Sequence, residues 1–262
     1  MDLRLIELIG LTIIIHLIDT LAYSVRLNSV KSGKYALSLS LFNIFVLISR
    51  TANMFQAPLL GLIVGLSIEK GINPKWDLHL VIFAATTGTI LGIVLIPTFL
   101  KIFSKAVDKL DIKGSVPSIV VEALHINNIK RMVKSTTKPR KSMWAKLRYK
   151  EIPKRLLILN TIITAVYTIG VLSAFYASTL VDEKYRLATS ASSGMINGVA
   201  SILLTLLVDP KSAIITDQAL RGKRPYGDVK ALVILLIGSK LLGTLIGQVL
   251  LEPAARIIAF FN

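Results

Sequence analysis

The sequence predicts an all-α, polytopic helical membrane protein with about six transmembrane helices, a long broken second helix and both termini outside. Three observations carry that expectation. Apolar residues make up 53% of the 262 positions and mean hydropathy is positive, yet 31 lysines and arginines are present. Those charges gather between long apolar runs instead of mixing through the chain, which is the distribution of a membrane protein. The runs reach the roughly 20 residues that a helix needs to cross a bilayer core. They also lack the alternation of barrel strands. A helix satisfies its own backbone polar groups in lipid, so helices are the reading that remains.

Six stretches qualify, roughly 5–25, 35–68, 79–103, 155–180, 187–208 and 230–251, which are long enough to span. They divide the chain into a first membrane triplet over 1–103, a basic cytoplasmic loop over 104–154 and a second triplet over 155–262. The first run is not expected to be a removable signal. Asp2 and Glu7 stand where such a signal is basic, and the run leads to Tyr23 and Arg26 instead of a small-residue cleavage site. The second run would form a helix of about 50 Å, well beyond a bilayer core. It is interrupted by Arg50-Thr51-Ala52-Asn53 and by Gln56-Ala57-Pro58, with Gly61 and Gly65 beyond. Proline removes a backbone donor, so a kink or break is expected near Ala57, with Pro58 and Gly61 as a hinge.

Charge sets the orientation. The connections after spans one, three and five carry Arg26, Lys31 and Lys34, then a basic run from Lys101 to Arg155, then Lys211, Arg221, Lys223, Arg224 and Lys230. The other face is mixed in sign, so the positive-inside rule places both termini outside. Within the central loop, Ile119, Val120, Ala123, Ile126, Ile129 and Val133 recur at helical spacing after Pro117, the pattern of an amphipathic helix on the cytoplasmic leaflet. Lys138 to Arg155 adds Trp144 and Tyr149, which favour the interface. Anionic membrane lipids are the expected partner of this basic charge. Basic charge alone makes no case for nucleic acid. A homo-oligomer is compatible with the sequence. The six spans also suggest two inverted triplets, each with an irregular second span: the Arg50 to Pro58 interruption and the Ser-Gly-rich 189–201.

Ionisable and polar residues inside the spans are the candidate functional groups, because a charge at the bilayer centre normally faces a partner or water. His16, Asp19, Tyr23 and Arg26 fall on one stripe of span one, and Asn43, Arg50 and Asn53 on one stripe of span two. Gln56 follows beside the interruption. Span four offers Asn160, Thr164, Tyr167 and Thr168. Span five offers Thr189, Ser193, Asn197, Ser201 and Thr205, with Gly194 and Gly198 alongside, and span six Lys240, Gly243, Thr244 and Gly247. The stripes are expected to converge on a polar interior. Arg50, deep in its span, suits bidentate grip of a phosphate, with Arg26 and Lys240 beside it. Asp19 neutralises Arg26 or Arg50, or relays protons; His16 is a relay member, an Asp19 partner or a packing residue. The glycines suit close helix contacts. The turn from Asp217 to Asp228 presents Arg221, Lys223 and Arg224 at the membrane face, either as a topological signal or as first contact for an anionic headgroup.

Several chemistries are missing. The chain has no cysteine, no Walker A loop, no His-Glu-x-x-His, no Gly-x-Ser-x-Gly and no dinucleotide fingerprint. No cofactor or catalytic residue is expected. His16 and Asp19 offer two metal ligands without an obvious third, so no metal is expected either.

The strings Ile15-His-Leu-Ile-Asp-Thr-Leu-Ala-Tyr-Ser-Val-Arg26 and Leu47-Ile-Ser-Arg-Thr-Ala-Asn-Met-Phe-Gln-Ala-Pro58 resemble the Amj family of bacterial lipid II flippases. The likeness runs along nearly the whole chain, including the basic loop and the Gly-Lys-Arg-Pro-Tyr-Gly turn. It implies a flippase, not an enzyme, that moves the lipid-linked peptidoglycan precursor lipid II across the bacterial cytoplasmic membrane as an alternative to MurJ. It carries over no site residues. Two other functions use the same residues: a transporter of a small anion or ion, and an intramembrane enzyme acting on a polyprenyl phosphate.

Overall fold

The structure, a computed structural model, describes residues 2–115, 118 and 147–261. The amphipathic helix expected from Ile119 to Val133, and the first half of the second basic piece with Trp144, lie outside the described residues. Six helical segments among those described are long and apolar enough to cross a membrane. They are α1 (Leu3–Ser32), α2 (Tyr35–Glu69), α3 (Lys75–Lys113), α4 (Lys154–Ala177), a fifth segment made of α5 (Arg186–Leu203), a π-helical turn (Leu204–Val208) and α6 (Asp209–Leu220), and finally α7 (Tyr226–Phe260). The chain is therefore a multi-pass membrane protein.

Local chemistry sets several boundaries. The Asp2 carboxylate accepts from the Arg4 N–H and caps the start of α1. α1 and α3 end at Gly33 and Gly114, whose φ of 70° and 62° is left-handed and open to glycine at little cost. Lys34, in the α1–α2 turn, donates to Asp108 and ion-pairs with Asp111 near the end of α3, both at 2.9 Å. Those two carboxylates hold the Lys34 ammonium pKa above its ordinary value.

The second helix is not broken. α2 is one continuous helix from Tyr35 to Glu69 with Pro58 inside it. Pro58 is exposed on the helix surface. There the proline removes one helical hydrogen bond without ending the helix, as membrane helices tolerate. The irregularity lies in the fifth segment instead, and later than the Ser-Gly-rich 189–201. It is the π turn directly before Asp209 and Pro210. Pro210 has no N–H to return to the preceding turn and its ring crowds that turn, so the helix widens by one residue and restarts.

The packing repeats between the triplets. α1 packs on α2 and α3, and α4 packs on α5 and α7 in the same manner. In both triplets the first and third helices meet at two glycines four residues apart. A Cβ on Gly88 of α3 would lie 2.4 Å from the Ile13 carbonyl oxygen, and one on Gly92 2.7 Å from Thr20 Cβ. A Cβ on Gly243 of α7 would lie 2.7 Å from the Thr161 carbonyl oxygen, and one on Gly247 3.1 Å from an Ile169 methyl group. Small residues let the helix backbones touch. The expected contact role of Gly243 and Gly247 holds, whereas Gly194 and Gly198 have nothing within 4 Å. Gly88→Ala is expected to cost about 1–3 kcal/mol through overpacking. Gly65→Ala, which meets open space, should cost almost nothing. Thermal unfolding in detergent micelles separates the two.

The bundle has two unlike ends. Away from the basic connections, one apolar cluster joins all the helices of both triplets except the fifth segment. It includes Leu5 and Leu8 of α1, Leu60 and Ile63 of α2, Leu78 and Ile82 of α3, Leu172 and Tyr176 of α4, and Leu251 of α7. Toward the basic end α1 and α3 still pack on α6 and α7, through Leu21, Leu27, Ile96, Ala219 and Val233, but α2 and the fifth segment share no apolar cluster among the described residues. α2 and the fifth segment stand apart there, and each has only 17% of its most apolar window buried, against 44–61% for the others. The exposed apolar side chains of these two helices flank the gap.

Candidate functional site

The gap is a cavity of about 470 Å³ in the half of the bundle nearer the basic connections. α1 supplies His16, Asp19, Tyr23 and Arg26, so the whole predicted stripe of span one faces it. α2 supplies Asn43, Ser49 and Arg50 together with Phe42, Val46 and Leu47. Across from them stand Thr164 and Tyr167 of α4, Ser201 of α5, Leu204 and Thr205 of the π turn, and Asp209 of α6. Lys240 closes the deep end from α7. Three cations and two carboxylates thus meet in one space, drawn from α1, α2, α6 and α7.

The pairing among them differs from expectation. Asp19 neutralises neither arginine: one oxygen accepts from Ser49 Oγ at 2.6 Å and the other lies 3.6 Å from Lys240 Nζ. Lys240 is 4% exposed and also reaches the His16 carbonyl oxygen at 3.4 Å, so a counter-charge at Asp19 is what makes its burial tolerable. Arg26 instead pairs with Asp209 at 3.2 Å, and its guanidinium lies 5.7 Å from the centre of the Tyr23 ring. Arg50 is exposed and has no carboxylate partner among the described residues. Of the three cations proposed for a phosphate, only Arg50 is uncommitted.

A second polar layer lies beyond the cavity, toward the apolar end. Asn53 Nδ2 donates to the Tyr167 hydroxyl at 3.1 Å, and Gln56 Nε2 to Thr12 Oγ1 at 2.7 Å. Together with His16 and Thr168 these side chains surround a void of only about 10 Å³. Asn53 and Gln56 therefore close the deep end and do not line the main cavity. His16 borders both spaces, and its Nδ1 is buried without a hydrogen-bond partner among the described residues. Asn160 steadies the wall, accepting from the Tyr23 hydroxyl at 2.9 Å and donating to Ser239 Oγ at 2.7 Å.

Other predicted residues fall elsewhere. Asn197 is not on the cavity; it packs over Gly170, where a Cβ would come 2.3 Å from its Oδ1, and that oxygen is buried without a hydrogen-bond partner among the described residues. Gly61 rests against the Phe175 ring. Arg221 and Lys223 border a separate shallow groove with Tyr35 at the basic end. Arg221 pairs with Asp217 at 3.0 Å, and Arg224 donates to Gln218 at 2.6 Å and to Asp228 at 3.2 Å. Lys223 is exposed.

Ser49 and Asp209 escaped sequence reasoning. Ser49 sits one residue before Arg50, and a signal existed, since Val46, Ser49, Arg50 and Asn53 have the spacing of one helix face. Asp209 falls just past the expected end of span five and beside a proline, so it reads as a loop residue. Among the described residues no cluster of three or more metal-ligating side chains occurs.

A family model described as "Amj: Alternate to MurJ" matches residues 11–262. A Bacillus subtilis (strain 168) protein described as "Lipid II flippase Amj" is 38% identical over 252 residues, covering 95% of this chain and 93% of that one. No solved structure matches the chain.

Proposed function

The chain belongs to the Amj family, the alternate to MurJ, and from that membership we propose that it flips lipid II across the bacterial cytoplasmic membrane. The observation that carries the proposal is the convergence of Arg26, Arg50 and Lys240 on one cavity, open in the basic half and shut by apolar packing in the other. By the positive-inside rule the basic end is cytoplasmic, so this conformation receives substrate from the cytoplasm.

Lipid II joins a polyprenyl chain to a disaccharide-peptide through a diphosphate, and each part has a matching surface. The diphosphate binds Arg50, whose guanidinium is exposed and has no carboxylate partner among the described residues, and Arg26 and Lys240 line the same cavity. Asn43, Ser201, Thr205 and Thr164 offer hydrogen bonds to sugar hydroxyls. A cavity of about 470 Å³ suits a drug-sized group. It therefore takes the diphosphate and the adjoining sugar, while the rest of the headgroup stays in cytoplasmic water. The polyprenyl chain lies in lipid between α2 and the fifth segment, whose apolar side chains such as Leu47 and Leu206 are exposed. Arg221, Lys223 and Arg224 gather headgroups at the cytoplasmic face, and the basic central loop holds anionic lipid.

Release outside requires the polar layer of Asn53, Gln56, Thr12 and Tyr167 to part, with α2 moving about Pro58 and Gly61. The membrane potential favours outward movement of the anionic headgroup by about 2.3 kcal/mol per charge per 100 mV. His16 and Asp19, at the deep end of the cavity, are the candidates for proton coupling. The test is leaflet-resolved accessibility of lipid II in cells whose only candidate flippase is this chain. Lipid II is expected on the outer leaflet while the protein is present, with cytoplasmic accumulation on its depletion. An unchanged leaflet distribution on depletion contradicts the proposal.

A further inference from the structure

The cationic cavity is already partly occupied by the protein's own anions. Asp19 sits by Lys240, and Asp209 by Arg26. The two carboxylates differ in how firmly they are held. Asp19 is fixed from two sides, by Ser49 and by Lys240. Asp209 has one ionic partner among the described residues, Arg26, and its side chain is 45% exposed, so water is ready to solvate it on release. Asp209 opens α6, but no side-chain cap is formed at that terminus, and its carboxylate reaches across to α1 instead. The π turn directly before it, lining the cavity with Leu204 and Thr205, gives this junction a backbone able to shift.

A tethered carboxylate on one of two guanidinium groups lining the same cavity acts on selectivity. A headgroup with one phosphodiester charge finds Arg50 free. To gain Arg26 it must replace one anion by another, which yields little. A diphosphate carries a negative charge on each phosphorus. One phosphate engages Arg50 while the second, confined to the same cavity at high effective concentration, displaces Asp209 from Arg26. Bulk membrane phospholipids are phosphodiesters and vastly outnumber any lipid-linked precursor, so discrimination needs an element that opposes the wrong ligand.

We infer that Asp209 is a specificity-determining residue: its carboxylate holds Arg26 until a diphosphate displaces it, and so excludes lipids whose headgroup carries a single phosphate charge. The inference rests on the cavity being the headgroup site. It is tested with the full-length chain in proteoliposomes, following leaflet transfer of two fluorescent probes, a short-chain prenyl diphosphate N-acetylglucosamine and phosphatidylglycerol. Asp209→Asn is expected to raise phosphatidylglycerol transfer about tenfold relative to the diphosphate probe, the scale of one charge-assisted hydrogen bond. Asp209→Glu, which keeps the carboxylate, should retain wild-type discrimination. A folded, monodisperse Asp209→Asn protein with wild-type discrimination overturns the inference and leaves the headgroup site standing. Failure of the wild-type protein to move the diphosphate probe removes the headgroup site, and the inference with it. A second measurement needs no substitution. Inorganic pyrophosphate should inhibit transfer of the diphosphate probe by wild-type protein, and dimethyl phosphate, a singly charged diester, should not. Equal inhibition by the two overturns the inference.

Discussion

Replacing Arg50 by alanine is expected to lower lipid II export about a hundredfold while leaving the protein folded. The two halves of that expectation have separate grounds. Arg50 is exposed and has no ion pair among the described residues, so its removal leaves no buried charge behind. In transport it offers a planar fork to a phosphate. Two charge-assisted hydrogen bonds at about 1.5 kcal/mol each give about 3 kcal/mol, near two powers of ten. Arg50→Lys keeps the charge and loses the fork, so a fall of about tenfold is expected. Export in cells dependent on this chain, measured beside thermal unfolding in detergent, checks both halves. A fall in stability that parallels the fall in export would assign Arg50 to the fold instead.

Asp19→Ala should show the opposite profile, with a large loss of stability. Lys240 is 4% exposed and Asp19 is its ionic partner, so the substitution strands an ammonium in the interior. Breaking such a pair from one side costs about 3–5 kcal/mol. The lower end applies, because Asp19 itself is 29% exposed and the contact is 3.6 Å. The double variant Asp19→Ala with Lys240→Met removes both charges and is expected to recover most of the stability. The double-mutant cycle therefore shows strong coupling. Export should not recover, since the deep cation is gone. Independent, additive losses would mean that the pair is not coupled.

The spans were legible because hydropathy is local: 155–180 and 230–251 correspond to Lys154–Ala177 and Tyr226–Phe260. Ends were set short because α3 runs on into polar sequence as far as Lys113, and α7 runs past the interrupting Glu252, Pro253 and Arg256 as far as Phe260. The stripe of His16, Asp19, Tyr23 and Arg26 was legible for a similar reason, since helical period alone puts four residues on one face. What periodicity lacks is the partner. Asp19 had Arg26 within reach along its own helix and yet pairs with Lys240 of α7, while Arg26 takes Asp209 of α6. Those choices depend on how helices distant in sequence pack. The proline effects were legible in kind and misplaced in position. Pro58 lies on an exposed helix surface that tolerates a missing bond, whereas Pro210 forces a π turn beside the cavity.

The central claim is that the cavity is the translocation path and that its outer end must open between α2 and α4. The most direct test uses the absence of native cysteine. Cysteines are placed at Asn53 and Tyr167, whose side chains meet at 3.1 Å across that closure. They are then bridged by a short, reducible bis-thiosulfonate reagent. Bridging is expected to abolish lipid II export, and reduction to restore it. Full export from the bridged protein would contradict the account.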